Sequence, residues 1–332
     1  MLRCAENLAK RRSVELQSKS WNYNQVADKS FYVRSTTIPI VWCTFLLKKT
    51  FHAKINTKVL VSKKGINQME KLADIGVFGG SGFYSFLEDI KEVKIDTPYG
   101  MPSDSLFIGK IGNHKVAFMP RHGRNHSILP HMINFRANVW AMKQVGCTRV
   151  ISPCAAGSLQ KHVEPGHFVV CDQFVDWTDG RKSTFFEGPT CYHPSPAETY
   201  CPELRQLAIK TAKDLGITVH ENGTVVVING PRFSTKAESK FFTNQGWEVI
   251  NMSQYPEVHL VRELDMCPIT IALITDYDAG LVGDVPPVTH QEVIQVFKSN
   301  ISRLKGLLLN IIENIPEERN NCECYNTLRC LR

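Results

Sequence analysis

The 332-residue sequence has no long hydrophobic run. Its longest nearly apolar stretch, TTIPIVWCTFLL at residues 36–47, is too short to cross a bilayer and contains Pro39, which excludes a membrane span. Acidic residues are scarce at the N-terminus: residues 1–69 hold 13 Lys/Arg against 3 Asp/Glu, whereas residues 70–332 hold 26 against 29. The net charge of +7 therefore belongs to a basic extension. The body lacks the basic stripe that nucleic-acid binding requires, so no nucleic-acid partner is expected. The 11 cysteines are odd in number, include no Cys-x-x-Cys pair and follow no secretory signal, which points to reduced thiols in a cytoplasmic protein. No partner cluster gives the tail CECYNTLRC a zinc spacing, so no metal is expected. The turn Gly79-Gly80-Ser81-Gly82 lacks the Gly-Lys-Ser/Thr of a P-loop, and Ser85 stands at the third glycine position of a dinucleotide fingerprint.

What is present is an ordinary globular composition, 43% hydrophobic and 21% charged. Residues 1–70 show no sustained period and read as a poorly ordered basic extension; their shortage of acids would also suit a targeting peptide, against which Glu6, Glu15 and Asp28 speak. Met69 stands just before the first convincing strand as an alternative start. From residue 71 a regular alternation begins. Strands are expected at 75–80, 114–120, within 148–158 (where the strand runs into a small-residue loop), 167–176, 223–230, 247–253 and 268–276. Helices are expected at 130–146, 202–216, 236–245, 256–265 and from Thr289, where Thr-His-Gln-Glu fits a capping box, to about 315. Strands alternating with helices, without a repeat or linker, give one α/β domain over 71–316: a mixed sheet flanked by helices, with a Cys-rich tail at 317–332.

In such sheets ligands bind beyond the carboxyl ends of strands. The segments there are Gly79–Gly82, Arg121-His122-Gly123-Arg124-Asn125-His126, Cys154–Ser158, Gly230-Pro231-Arg232-Phe233-Ser234, Asn251-Met252-Ser253 and Thr275-Asp276-Tyr277-Asp278. The glycine turn is an anion cradle or merely a turn. Arg121 and His122 offer either an oxyanion fork or a surface ion pair. His122 and His126 have metal-ligand spacing but no evident third ligand. Asp276 and Asp278 suit a cleft, calcium or solvent.

Together, and in this order, these six motifs resemble the purine nucleoside phosphorylase superfamily, specifically its methylthioadenosine phosphorylase branch, over residues 73–315. The resemblance implies a nucleoside phosphorylase fold and cleavage of a purine N-glycosidic bond by inorganic phosphate, a co-substrate, with no cofactor. It places phosphate against Ser81, Arg121, His122, Cys154, Ala155 and Ser253, with Arg121 and His122 as cationic donors. Cys154 stands where the family often has Thr. The resemblance sets Met252 against the ribose, stacks Phe233 on the purine, and lines the base pocket with Ser234. Asp276 meets N7 as the catalytic acid, and Asp278 reads the 6-position. His193 closes the ribose end of a neighbouring subunit's site in a homotrimer. His290 departs from the methylthioadenosine pattern, which carries a small apolar residue there. A histidine that binds a 5′-hydroxyl favours ordinary nucleosides and purine salvage. The two aspartates favour 6-aminopurines and the alternative, methylthioadenosine. Rival readings are a hydrolase using water and a catalytically lapsed binding subunit.

Overall fold

The computed structural model describes residues 71–79, 87–189, 192–280 and 286–327. The basic extension, Gly80–Gly82 with Ser81, Cys191 and Cys330 lie outside the described residues. The strands are β1 (Ile75–Gly79), β2 (Glu88–Val93), β3 (Leu106–Ile111), β4 (His114–Pro120), β5 (Arg149–Ser158), β6 (Phe168–Val170), β7 (Gln173–Trp177), β8 (Val219–His220), β9 (Thr224–Ile228), β10 (Val249–Asn251) and β11 (Cys267–Asp276). The helices are α1 (Phe135–Gln144), α2 (Pro202–Asp214), α3 (Lys236–Asn244), α4 (Gln254–Glu263) and α5 (His290–Glu313).

The strands form one mixed sheet in the order β2-β3-β4-β1-β5-β10-β9-β7, with β11 pairing β5 and β6, and β6 pairing β8. Its centre is parallel: β4, β1, β5 and β11 run side by side. These strands read as continuous apolar runs because both their faces are covered. Side chains alternate between those faces. Ile75, Val77, Ile151, Ile269 and Ile271 pack with Leu204 of α2 and Leu304, Leu308 and Ile311 of α5. Phe78, Ala117, Met119 and Val150 turn the other way, onto Val139 and Met142 of α1 and Leu260 of α4. Helices on both faces of a mixed sheet are the expected class.

Most helix signals translate into structure, but the helix expected over 130–146 is a single 3-10 turn at Pro130–Met132 followed by α1 from Phe135, where Asn134 caps the helix. Thr289 caps α5 by accepting from the Glu292 N–H, and Glu292 answers the Thr289 N–H at 2.9 Å. Three features of the sheet depart from the pattern. The apolar run at 167–176 is two strands: β6 pairs β11, while β7 swings away to the far edge beside β9. The small residues 154–158 are not a loop but the second half of β5, held by β11 up to Gly157 and by antiparallel β10 at Gly157 and Ser158. The hairpin-like edge β2–β3 carries little apolar signal, since its outer strand is largely exposed.

Candidate active site

The register aligns Gly79 with Pro120 across β1 and β4, and Val77 with Ile151 across β1 and β5. The carboxyl ends of these strands therefore open side by side, and Arg121 follows immediately. Its N–H donates to the Gly79 carbonyl at 3.1 Å. Its guanidinium is not a surface group. Arg121 is 3% exposed, and its fork closes on Glu257 of α4, Nε to Oε2 at 2.6 Å and Nη2 to Oε1 at 2.9 Å. Ser152 Oγ donates to the same carboxylate at 2.7 Å. Burial opposes the Arg121 charge, but the Glu257 carboxylate outweighs it and holds the guanidinium more firmly protonated than usual. The fork expected to grip an oxyanion is thus occupied. Beyond the carboxylate, Nη1 reaches the Pro153 carbonyl at a long 3.4 Å and Nη2 the Phe78 carbonyl at 3.5 Å. Glu257 follows the Asn251–Ser253 motif by four residues, and nothing in that motif reveals its role. Arg124, the second arginine of its motif, faces away to Glu92 and Asp104.

His122 is also not the cation expected. Burial, and then the adjacent Arg121 charge, push its imidazole down to about 4. Its Nδ1–H donates to the Ile128 carbonyl at 2.9 Å, so Nε2 carries the lone pair. The ring stacks on His126 with centroids 4.5 Å apart. His126 has a left-handed φ of 53° and is held below the ordinary histidine range by burial and by the nearness of His290. Two segments distant in sequence thereby come near one another. His290 itself is exposed, at the first position of α5.

A buried neutral His122 has a consequence for stability. Above pH ~6.5 the residue is neutral both folded and unfolded; below that, only the unfolded chain takes up the proton until pH ~4 is reached. Stability is expected to fall by up to about 3 kcal/mol over that window from this residue. Urea denaturation of the wild type and His122→Asn between pH 7.5 and 4.5 checks this. A shallower decline in the variant is the expected outcome, and parallel declines would contradict it.

The remaining phosphate-site candidates surround the end of β5. Cys154 is buried, its sulfur 3.4 Å from Asn251 Nδ2, and burial pushes its thiol up to about 11, so it is not a ready thiolate. Ala155 is exposed within the strand. Ser253 is buried at the start of α4, where Asn251 Oδ1 accepts from the Ser253 and Gln254 N–H groups. Met252 is half-buried and lies against Gly230. A Cβ there would stand 2.5 Å from the Met252 sulfur, and Gly230 also has φ +65°.

At the end of β11, Asp276 accepts from Thr275 Oγ1 at 2.7 Å and from the Asp278 N–H at 2.8 Å. Burial raises its carboxyl above the usual range, these two donors pull it back in part, and Asp278 and Glu292 raise it further. Gly157 makes room: a Cβ would stand 2.9 Å from Asp276 Oδ1 and 3.4 Å from the Asp278 nitrogen. Asp278 is 3% exposed, and its φ of 49° turns the chain back after β11. Ser239 of α3 donates to its Oδ2, and burial raises this carboxyl too. Ser234 Oγ is buried beside it without meeting it in hydrogen-bond geometry. Phe233 is exposed on the loop before α3. His193 is exposed in the irregular stretch between β7 and α2.

Sequence reading passed over Arg181. It donates to the carbonyls of Ile228 at 3.3 Å, Asn229 at 3.1 Å, Met252 at 2.9 Å and Tyr255, tying the end of β9 to the β10–α4 link. Burial pushes its guanidinium down to about 10. A single arginine in a polar loop carries no signal of this. It also passed over the partners of the tail cysteines. Cys322 and Cys324 lie with Cys201 and Cys267, their sulfurs all within 4.8 Å of one another, which corrects the expectation that no metal-ligand set exists.

A mixed sheet with helices on both faces, and a buried Arg–Glu pair and two raised carboxyls at its strand ends, has the nucleoside phosphorylase fold. The model of the Phosphorylase superfamily matches residues 74–313, and the chain belongs to that superfamily. It is 51% identical over 262 residues to the S-methyl-5′-thioadenosine phosphorylase of Thermofilum pendens, covering 78% of this chain and 98% of that one. It is 47% identical over 261 residues to a purine nucleoside phosphorylase of Streptomyces coelicolor, covering 76% and 93%. Among solved structures, methylthioadenosine phosphorylase from Schistosoma mansoni in complex with adenine superposes with a TM-score of 0.73 at 34% identity, over 78% of this chain and 97% of that one. The described residues contain no helix long and apolar enough to cross a membrane.

Proposed function

We propose that this phosphorylase cleaves S-methyl-5′-thioadenosine with inorganic phosphate, giving adenine and 5-methylthioribose 1-phosphate, and also accepts adenosine. The observation that carries the reading is the Asp276–Asp278 pair. Ser239 donates to Oδ2 of Asp278, and the carboxylate still has lone pairs with which to accept from a 6-amino group. A 6-oxo group would bring a second lone pair against it. Ser234 Oγ supplies a further buried polar atom for the base to complete. The relatives named methylthioadenosine phosphorylase, and the adenine complex of the S. mansoni enzyme, support the same choice.

This departs from the preference for ordinary nucleosides that His290 suggested. Strong rejection of a substrate lacking a hydroxyl requires a buried polar group left unpaired. An exposed His290 stays hydrated when a methylthio group lies beside it, so it tolerates both 5′ substituents.

In the proposed reaction, phosphate binds at the end of β5 against the backbone of Cys154 and Ala155, the Ser253 and Ser81 hydroxyls and Nη1 of Arg121. Neutral His122 offers Nε2 as an acceptor for a P–OH, in place of a positive charge. A phosphate oxygen bonds to C1′ as the C1′–N9 bond breaks, and the bond's electrons pass into the purine. Asp276 gives its proton to N7, so the base leaves neutral. Its raised pKa suits an acid that must still hold that proton near neutrality. Met252 packs against the ribose and Phe233 against the base. We assign His193 to a neighbouring subunit's site in a homotrimer.

Release of free base from methylthioadenosine, adenosine, inosine and guanosine, each with and without phosphate, tests this. Methylthioadenosine and adenosine are expected to lead, with no turnover when phosphate is omitted. Asp278→Asn should move the ratio toward inosine. Inosine or guanosine leading in the wild type would overturn the 6-amino reading, and phosphate-independent turnover would make the enzyme a hydrolase.

A further inference from the structure

We propose that Cys201, Cys267, Cys322 and Cys324 form a tetrathiolate site for Zn2+ that fastens the C-terminal tail to the body of the domain. The four sulfurs lie mutually within 4.8 Å, and the Cys267 and Cys322 sulfurs are 3.6 Å apart. A tetrahedral zinc with Zn–S bonds of about 2.3 Å separates its sulfurs by about 3.8 Å, so a small contraction of the cluster closes the shell. Four thiols sharing one volume suit a single soft cation. One disulfide would use only two of them, and each sulfur–sulfur bond must close to about 2.05 Å.

The frame holds two ligands and delivers the other two. Cys201 caps α2, and its N–H donates to the Pro268 carbonyl at 2.9 Å. Cys267 opens β11, and its N–H donates to the Thr148 carbonyl at 2.9 Å. Beyond α5, Arg149 donates to the carbonyls of Pro316, Glu317 and Glu318. Arg319 reaches the Asp265 carbonyl at 2.8 Å, and the Asn321 N–H reaches Glu203 at 3.0 Å. These contacts bring Cys322-Glu323-Cys324 onto the fixed pair. Three of the four cysteines are buried, while partly exposed Cys322 gives the ion its way in. Binding would exchange the thiol protons for the metal and release them to solvent.

The site is separate from the catalytic one. Cys267 is the first residue of β11 and Asp276 the last. At about 3.3 Å per residue the two ends stand about 30 Å apart. The cluster's role is therefore to hold the tail, and it takes no part in the reaction.

The test uses the full chain purified without chelator under reducing conditions. Metal content, accessible thiols and intact mass are measured, and Co2+ is titrated into protein stripped of metal. The expected result is one zinc per chain, with four thiols becoming reactive only after chelation and a tetrahedral sulfur–cobalt spectrum on reconstitution. Cys322→Ser with Cys324→Ser should lose the metal and melt at lower temperature, while kcat at a temperature well below melting is unchanged. The cobalt titration on the unaltered chain serves even if that variant folds poorly. Metal-free protein with all four thiols reactive and no cobalt spectrum would overturn the proposal. A mass lower by two or four hydrogens, showing disulfides among these cysteines, would also overturn it.

Discussion

Asp276→Asn is expected to lower kcat for phosphorolysis by about 10²- to 10⁴-fold, the usual worth of a positioned acid, with little change in KM. The amide keeps the acceptor oxygen for the Thr275 hydroxyl or the Asp278 N–H and can still donate a hydrogen bond to N7. It cannot surrender a proton to the leaving base. The wild-type rate should also fall as pH rises through the raised pKa of this carboxyl, because the protonated form is the one that acts. The variant should lose that limb of the profile. Steady-state kinetics across pH with methylthioadenosine decides it. A variant within about threefold of the wild type, on a scale where general acids give 10²-fold or more, would mean that another group protonates the purine.

Glu257→Ala is expected to destabilise the fold by about 3–5 kcal/mol, since it strands the Arg121 charge in the interior. Both partners are almost fully buried, with side-chain exposures of 4% and 0%. Ser152 Oγ also loses its acceptor. Replacing both partners, as Arg121→Met with Glu257→Leu, removes the stranded charge and should cost less than the single change. Urea denaturation of the three proteins measures the difference. Added phosphate should recover more stability in Glu257→Ala than in the wild type, because the freed guanidinium fork can then take the anion. A loss below about 1 kcal/mol, the range of exposed pairs, would show that water reaches the Arg121 guanidinium after all.

Much of the frame was legible because its signals are local. The apolar runs at 75–80, 114–120 and 268–276 correspond closely to strands buried on both faces, and Gly146 and Gly216 close helices at positive φ. The capping box at Thr289 depends on residues three apart. What failed depends on partners. Residues 154–158 look like a loop because they are small, yet they are strand, and at Gly157 the absence of a Cβ is what lets Asp276 and the Asp278 backbone lie against it. The stretch at 167–176 divides because two different strands claim its halves, which no periodicity within it records.

The sequence by itself determined the α/β class, the approximate positions of the helices and central strands and which segments stand at the strand ends, since hydrophobic period, caps and turns are properties of neighbours in the chain. Only the tertiary structure decided the state of the groups those segments carry. Arg121 became half of a buried ion pair through a glutamate on α4, and His122 became neutral through burial beside Arg121. The tail cysteines acquired two partners from α2 and β11. Charge, protonation and ligand sets depend on desolvation and on contacts between residues far apart in sequence, and those exist only once the chain has folded.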